Sequence, residues 1–266
     1  MNSIKLLDGN VYDIKDLELK ARNDDFYYND LGNLCFSSSI CGYMLSSPKS
    51  YYYLKKYGNE ESTTSLSIGG LVHVKTLEPE RFDDIYDIAD VASKNTKAYK
   101  ELKLSSSKKV ITKLENEQAN RIAEALLKND AFINRLQGAS TEVPKVGEIL
   151  GLPFRGKADI LNAPFLYDLK TTTDISSFKF SAQKYNYDLQ AFIYCELFGI
   201  DFKDFEFVVV DKKSLDIGIF SISEDFYNSG FQKLIYCSKL YQDYFLDKSE
   251  EEIIDGINNY YIKAKL

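Results

Sequence analysis

The feature of this sequence that most limits its fold is a pair of apolar segments, Phe154–Leu161 and Phe165–Thr171, joined by Asn162-Ala163-Pro164. Asparagine and proline between two apolar runs favour a tight turn, so this stretch predicts a β-hairpin. A register symmetric about the turn places Asp159 opposite Asp168. Two carboxylates that face each other in a sheet repel, and we therefore expect a cation between them.

A lysine accompanies these carboxylates. Because side chains alternate along a strand, Lys170 shares a face with Asp168, while Lys157 falls opposite Lys170 in the same register. No thiolate or imidazole occurs within the segment, which favours Mg²⁺, with Mn²⁺ as a possible substitute. The alternative is a solvated hairpin in which Lys170 neutralises its neighbours without a metal.

The ordered pattern Gly156-x-x-Asp159, followed by Asp168-x-Lys170, resembles the PD-(D/E)XK nuclease superfamily. The resemblance implies a restriction-endonuclease-like core in which Asp159 and Asp168 are metal-binding carboxylates. It also implies that Lys170 is the active-site lysine. Ala158 stands where the superfamily usually has proline.

A second motif follows downstream, where Gln190 and Tyr194 are four residues apart and would share one face of a helix. A Q-x-x-x-Y helix after the D-x-K strand resembles the RecB-like branch of the superfamily. That resemblance implies that both side chains lie beside the active site, where they contact DNA or position the catalytic groups. The alternative is an ordinary core helix with an apolar face of Leu189, Phe192, Ile193 and Leu197.

Upstream lies the only histidine of the chain, in the pattern Gly69-x-x-x-His73 followed by Leu77-Glu78-Pro79-x-x-Phe82. These residues resemble the N-terminal motif of phage and prophage exonucleases of the exodeoxyribonuclease VIII (RecE) type. The resemblance implies that the imidazole of His73 approaches the metal, and a neutral imidazole is a suitable ligand.

A further acidic residue, Glu142, opens the strand region and resembles the additional acid of RecE-like and lambda-type exonucleases. An exposed glutamate at a strand edge is the alternative. The resemblance also implies that the backbone carbonyl of Leu169 binds metal. The implied metal ligands are Asp159, Asp168, Leu169, His73 and Glu142, and the implied catalytic groups are Asp159, Asp168, Lys170, Gln190, Tyr194 and Glu142.

Length and charge limit the class of protein more weakly. The 266 residues suit one domain, and the formal net charge of −7 weighs mildly against DNA binding, which depends on phosphate neutralisation. Lysines cluster at 55–56, 97–113 and 179–184, and positive charge segregated there would allow DNA binding despite the negative net charge. No apolar run reaches membrane-span length, and the first residues lack a signal-peptide layout. We therefore expect no membrane association and a location in the cytoplasm of a bacterium or a phage-infected cell.

The cysteines help to choose among the nucleases that the motifs resemble. They are widely spaced and form no C-x-x-C pair, so we expect no zinc site, no iron–sulfur cluster and mostly buried thiols: Cys35, Cys41, Cys195 and Cys237. RecB-like nucleases of CRISPR adaptation and AddB-type subunits carry such a cluster on grouped cysteines. The spacing therefore weighs against those roles.

The order of periodic segments predicts one α/β domain over residues 1–266, with a central mixed β-sheet flanked by helices. Residues 1–140 are expected to be mainly helical, 141–222 to form the catalytic sheet core, and 223–266 to form C-terminal helices. Residues up to about 32 read as an irregular lead-in with a short hairpin. Three serines at 105–107 predict the start of one long helix that ends at Gly138, and a last helix is predicted to reach Lys263.

The resemblance implies a Mg²⁺-dependent exonuclease that degrades linear double-stranded DNA from the 5′ end. Its products would be 3′ single-stranded tails for phage-type recombination, passed to an annealing protein, and a homo-oligomeric ring is plausible. Two alternatives stay open. One is a RecB-like nuclease of repair or CRISPR adaptation, cutting internally or at ends; the other is a non-catalytic DNA-binding protein that retains the fold.

Overall fold

The computed structural model describes residues 2–58 and 64–263, and the first half of the chain is mainly helical. Two small sheets lie within this half: β1 (Ser3–Lys5) pairs antiparallel with β2 (Val11–Asp13), and β3 (Tyr86–Ala89) pairs parallel with β4 (Lys109–Thr112). A π-helical turn covers Phe26–Asp30 and a 3₁₀ turn covers Pro79–Arg81. The α-helices are α1 (Ile14–Lys20), α2 (Leu31–Leu34), α3 (Ser38–Ser46), α4 (Pro48–Tyr57), α5 (Thr64–Leu77), α6 (Phe82–Ile85), α7 (Lys97–Ser105), α8 (Lys113–Leu127) and α9 (Asp130–Leu136).

The second half is built on a five-stranded sheet. Its strands are β5 (Ser140–Ile149), β6 (Leu152–Asn162), β7 (Phe165–Thr172), β8 (Phe205–Asp211) and β9 (Ile217–Ser221), in that spatial order. Neighbouring strands are antiparallel except β7 and β8, which are parallel. A parallel pair needs a crossover, and here it consists of α10 (Phe178–Lys184), α11 (Tyr187–Phe198) and a 3₁₀ turn at Phe202–Asp204. Two helices follow the sheet, α12 (Glu224–Tyr244) and α13 (Glu250–Asn258).

Helices cover both faces of this sheet. On one face α3, α11 and α12 pack over a core that includes Phe154, Leu166 and Phe207. On the other face α5, α8 and α9 pack over Leu169 and Val208. Burial on both sides explains why the central strands are apolar almost throughout. The predicted α/β fold, with a mixed central sheet flanked by helices, is confirmed.

Strand β6 rotates about its axis in the middle of the predicted hairpin, so that its side chains change faces of the sheet. Its ladder with β7 follows the predicted register but ends at the pair Ile160–Tyr167, one step before Asp159 and Asp168. Ala158 packs on the α11 side of the sheet, whereas Ile160 packs on the α5 side. Residues two apart in a regular strand share a face, so the strand rotates at Asp159. The two strands therefore part at the position of the candidate site.

Several local features follow from short sequence signals. Ser37 caps α3 by accepting a hydrogen bond from the backbone N–H of Ile40. Strands β6 and β7 lie where the two apolar runs of the hairpin place them, and the four cysteines are buried. Helix α11 ends at Gly199, whose φ of +64° is the left-handed conformation that glycine adopts at low cost.

The prediction of one long helix after the serines at 105–107 is wrong. Ile111 lies in β4, and α8 begins only after Thr112, which forms a capping box with Glu115. Asn129 then caps α9, so the helical segment is divided in two. Apolar residues repeat at compatible spacings on both helices and on the strand, and periodicity alone therefore could not locate the breaks.

Two predictions about the ends of the chain also need correction. The lead-in to residue 32 contains the expected hairpin but is otherwise ordered, with helix α1 packed on β5. The last helix ends at Asn258 rather than Lys263. Within the part of the chain that the structure describes, no helix is long and apolar enough to cross a membrane.

Candidate metal centre and active site

Helix α5 brings His73 onto β7 through a close approach at glycine. A Cβ at Gly69 would lie 3.3 Å from the Thr171 hydroxyl oxygen, which is tighter than most real contacts. Glycine at this position therefore lets the helix lie close to the strand. One turn later, His73 Nε2 donates a hydrogen bond of 2.8 Å to the carbonyl oxygen of Leu169.

His73, Glu142 and Asp159 form a cluster of three potential ligands. Their ligand atoms all lie within 4.8 Å of one another, with His73 Nδ1 3.7 Å from Asp159 Oδ2 and 3.9 Å from Glu142 Oε1. The backbone of Glu142 has a φ of +49°, which is uncommon for a residue with a side chain and is often found at functional sites. This conformation interrupts the ladder of β5 and β6 at the cluster.

The hydrogen bonding of His73 shows that this cluster fits a cation. The Leu169 carbonyl can only accept, so Nε2 carries a hydrogen and Nδ1 is the ring nitrogen that faces the two carboxylates. Burial opposes protonation of the ring, but the charges of Asp159 and Glu142 outweigh it and raise the pKa of His73 to about 9. An imidazole whose second nitrogen is fixed by a carbonyl, beside two carboxylates, is a typical donor set for a divalent metal.

Asp159 also replaces a missing backbone partner in the gap between β6 and β7. Its Oδ2 accepts a hydrogen bond of 2.7 Å from the backbone N–H of Leu169, which the departing strand β6 leaves unpaired. Burial raises the pKa of Asp159 despite the nearby charge of His73. The carboxylate is thereby fixed toward the cluster rather than free to rotate.

Asp168 lies beside the cluster and is held by Lys170 and Gln190. Its Oδ1 accepts a hydrogen bond of 2.8 Å from Gln190 Nε2, and its Oδ2 contacts Lys170 Nζ without any hydrogen bond of good geometry. Asp168 is 1% exposed, and burial raises its pKa to about 6 although Lys170 opposes that shift. The contact between Lys170 Nζ and Asp168 Oδ2 agrees with the prediction that these two side chains share a face of the strand.

Lys170 is a partly buried cation in this arrangement. Burial lowers its pKa, but the charges of Asp168 and Asp159 outweigh that effect and hold the pKa above the ordinary value. Its Nζ lies 4.9 Å from the centre of the Tyr187 ring. A lysine held protonated in this way can balance negative charge and orient a water, but it is a poor proton acceptor.

Tyr194 lies deeper than the other predicted site residues. It shares a helix face with Gln190, but its side chain is buried, and its ring packs over Gly156 on β6. A Cβ at Gly156 would lie 3.1 Å from that ring and 3.0 Å from Leu197. Glycine in the G-x-x-D motif therefore lets α11 cross β6 closely, and Tyr194 supports the strand that carries Asp159.

Sequence reasoning missed a second charged network next to this cluster. Lys157 does not face Lys170, because β6 rotates between Lys157 and the end of the hairpin. Its Nζ instead donates a hydrogen bond of 2.5 Å to Asp24 Oδ1. Arg81 donates a hydrogen bond of 2.6 Å to the other carboxylate oxygen of Asp24, and it donates further hydrogen bonds to both carboxylate oxygens of Glu78. The network joins the strand of Asp159 to the end of the helix of His73, and only Glu78 belonged to a recognised motif.

A mixed sheet flanked by helices, with acids and a lysine where two central strands part, agrees with a protein of the PD-(D/E)XK type. The family model described as "PDDEXK-like domain of unknown function" (DUF3799) matches residues 37–251, and the chain belongs to this family. The predicted resemblance to the PD-(D/E)XK superfamily is thereby confirmed.

One solved structure shares this fold at low sequence identity, and another is similar only in part. A protein from Eubacterium rectale named "Putative exonuclease" has a TM-score of 0.62 and 15% identity, over 92% of this chain and 95% of that chain. A phage-related exonuclease from Haemophilus somnus 129PT has a TM-score of 0.31 and 15% identity, over 64% of this chain and 92% of that chain. No curated protein matches the sequence.

Proposed function

We propose that this protein is a divalent-metal-dependent deoxyribonuclease that degrades DNA from its ends. The observation that carries the proposal is the cluster of His73, Glu142 and Asp159 beside the ion pair of buried Asp168 with Lys170. The motif resemblance and the neighbour named "Putative exonuclease" agree with it.

Three side chains are the proposed core of the metal site. His73, Glu142 and Asp159 would hold Mg²⁺ or Mn²⁺, with Asp168 and the second lone pair of the Leu169 carbonyl as further ligands. A bound divalent cation lowers the pKa of a water ligand and so supplies hydroxide near neutral pH.

Lys170 balances charge on the scissile phosphate and orients the attacking water. Gln190 holds Asp168 in position through its amide, and Tyr194 fixes the strand behind Asp159. Attack at phosphorus breaks the bond to the 3′ oxygen and leaves a 5′-phosphate on the product.

The direct test is digestion of an end-labelled linear duplex by the purified protein, with Mg²⁺, with Mn²⁺ and with EDTA. We expect metal-dependent degradation that falls by about 100-fold or more in Asp159→Ala and Lys170→Ala. Asp243→Ala, at an exposed position on α12, is the matched control and should keep full activity. Full activity in folded Asp159→Ala or Lys170→Ala would refute the assignment.

Further DNA substrates are needed to test the direction of degradation and the form of DNA that is cut. We propose 5′-to-3′ degradation of linear double-stranded DNA, which a duplex labelled at either 5′ or 3′ ends distinguishes by the order of product release. Cutting of a closed circle would instead indicate an endonuclease of the RecB-like group. DNA binding with no cleavage under any metal would indicate a non-catalytic protein.

We further propose that the 3′ single-stranded product is passed to an annealing protein in the cytoplasm of the cell that makes the enzyme, and that the enzyme assembles as a ring. Both follow from the resemblance to phage exonucleases. Light scattering after size exclusion tests the assembly, since a ring requires a mass of at least three chains. A monomer at working concentration would contradict it.

A further inference from the structure

An aromatic and basic surface lies on α10, next to the candidate active site. Phe180 and Tyr185 are 63% and 59% exposed, although the same helix buries Phe178 and Ala182 in the core. A large ring exposed on a helix that already has a buried side contributes little to folding. These two rings are therefore available to a ligand.

This surface is continuous with the active-site lysine. The ring of Tyr185 lies 6.0 Å from the ring of Tyr187, and Tyr187 in turn lies 4.9 Å from Lys170 Nζ. Phe180 and Lys184 are four residues apart on α10 and share a face, and Lys184 Nζ lies 5.5 Å from the Tyr185 ring. Tyr185, the residue after α10, thus continues the aromatic contacts outward from Lys170, and Lys184 links it to Phe180 on the helix.

The charge of this surface is suited to phosphate. Lys179 and Lys184 are exposed, and among the described residues neither lies within ion-pair distance of a carboxylate. Lys179 Nζ lies 5.2 Å from the Phe180 ring, so each exposed ring has a cation beside it. These two lysines place positive charge beside the rings in a chain whose formal net charge is −7.

Exposed rings interleaved with lysines are the chemistry that binds single-stranded nucleic acid, since bases stack on the rings while lysines contact the backbone. Bases inside a duplex are already stacked and paired, and only unpaired nucleotides can use such a surface. We infer that Phe180 and Tyr185 form a stacking platform for unpaired bases of the DNA strand that enters the active site. The inference rests on the proposed nuclease function and specifies the form of DNA that the site accepts.

The test compares the binding of two fluorescent duplexes, one blunt and one with a single-stranded tail of about six nucleotides, measured by anisotropy in EDTA. Tyr185→Leu and Phe180→Leu remove the rings but keep apolar side chains, whereas Tyr185→Phe keeps the ring. Tyr57→Leu, at a 69% exposed tyrosine on α4, is the control. We expect each ring-removing variant to bind the tailed duplex about tenfold more weakly, with blunt-end binding changed less than about twofold.

A second readout detects stacking directly. 2-Aminopurine placed in the tail should change fluorescence on binding to wild type and to Tyr185→Phe, but not on binding to Tyr185→Leu. Unchanged tail affinity in both leucine variants, or a wild type that does not distinguish the two duplexes, would overturn the platform. Cleavage of linear DNA by wild type with such a result would refute the platform alone, whereas absence of cleavage refutes the proposed nuclease.

Discussion

The contact between α11 and α12 gives a sharp test of the packing that positions Gln190. The two helices cross at Gly230, where an added Cβ would overlap the carbonyl oxygen of Asp188 and lie 2.7 Å from its carbon and 2.9 Å from Phe192 Cβ. Two of these atoms are backbone and cannot rotate away. Gly230→Ala must therefore push α12 away from α11.

The cost can be worked from these distances. Overpacking a core position costs about 1–3 kcal/mol, and a backbone neighbour favours the upper end of that range. Alanine has a helix propensity about 1 kcal/mol more favourable than glycine, so the net loss in the free energy of unfolding is about 2 kcal/mol. For a chain of this size that corresponds to a fall in Tm of about 4–8 °C.

Gly70→Ala is the matched control for this substitution. Gly70 also lies inside a helix, α5, but its added Cβ would meet only the Tyr86 hydroxyl at an ordinary 3.9 Å. It should gain up to about 1 kcal/mol from helix propensity. Thermal unfolding followed by circular dichroism measures both variants, and a Gly230→Ala protein as stable as Gly70→Ala would refute the helix crossing.

Three further predictions concern the site. Asp24→Asn should destabilise the fold by about 1–2 kcal/mol, because it removes a charge-assisted bond from buried Lys157, as urea denaturation would show. Burial raises the pKa of Asp24, but Lys157 and Arg81 outweigh it and lower the pKa, so this stabilisation exists above about pH 4 and should disappear as pH falls through the lowered value. Mn²⁺ at about 100 times its dissociation constant should stabilise wild type by about 2.7 kcal/mol, and His73→Gln should lose most of that gain.

Each of these predictions has a result that would contradict it. Equal urea midpoints for wild type and Asp24→Asn at neutral pH would show that the Asp24 network contributes nothing. A stability difference that persists unchanged in acid would mean that the charge of Asp24 is not its source. A Mn²⁺ gain that survives in His73→Gln would place the cation away from this cluster.

Much of the fold could be predicted from local sequence, because the signals involved act over a few residues. The apolar runs on either side of Asn162-Ala163-Pro164 specify the hairpin and its register through the turn. The serine cap at Ser37 and the glycine at Gly199 fix helix ends in the same way. The break at Thr112 was missed because a strand and a helix of compatible apolar spacing adjoin there.

The site was predictable in its residue types but not in its arrangement. The motifs supply three acids, a lysine and a histidine, and the sequence order suggests that they meet. Sequence alone treated Asp159 and Asp168 as an equivalent facing pair. In the structure Asp159 joins His73 and Glu142, whereas Asp168 is engaged by Lys170 and Gln190.

The sequence by itself determined the hairpin, the helix of Gln190 and the chemical kinds of ligand, since turn residues and alternation act locally. Only the tertiary structure decided that β6 turns over at Asp159 and that Gly69 lets α5 bring His73 to Leu169, a residue 96 positions away. It also decided that Lys157 pairs with Asp24. These contacts depend on how closely distant elements pack, and no short segment of sequence carries that information.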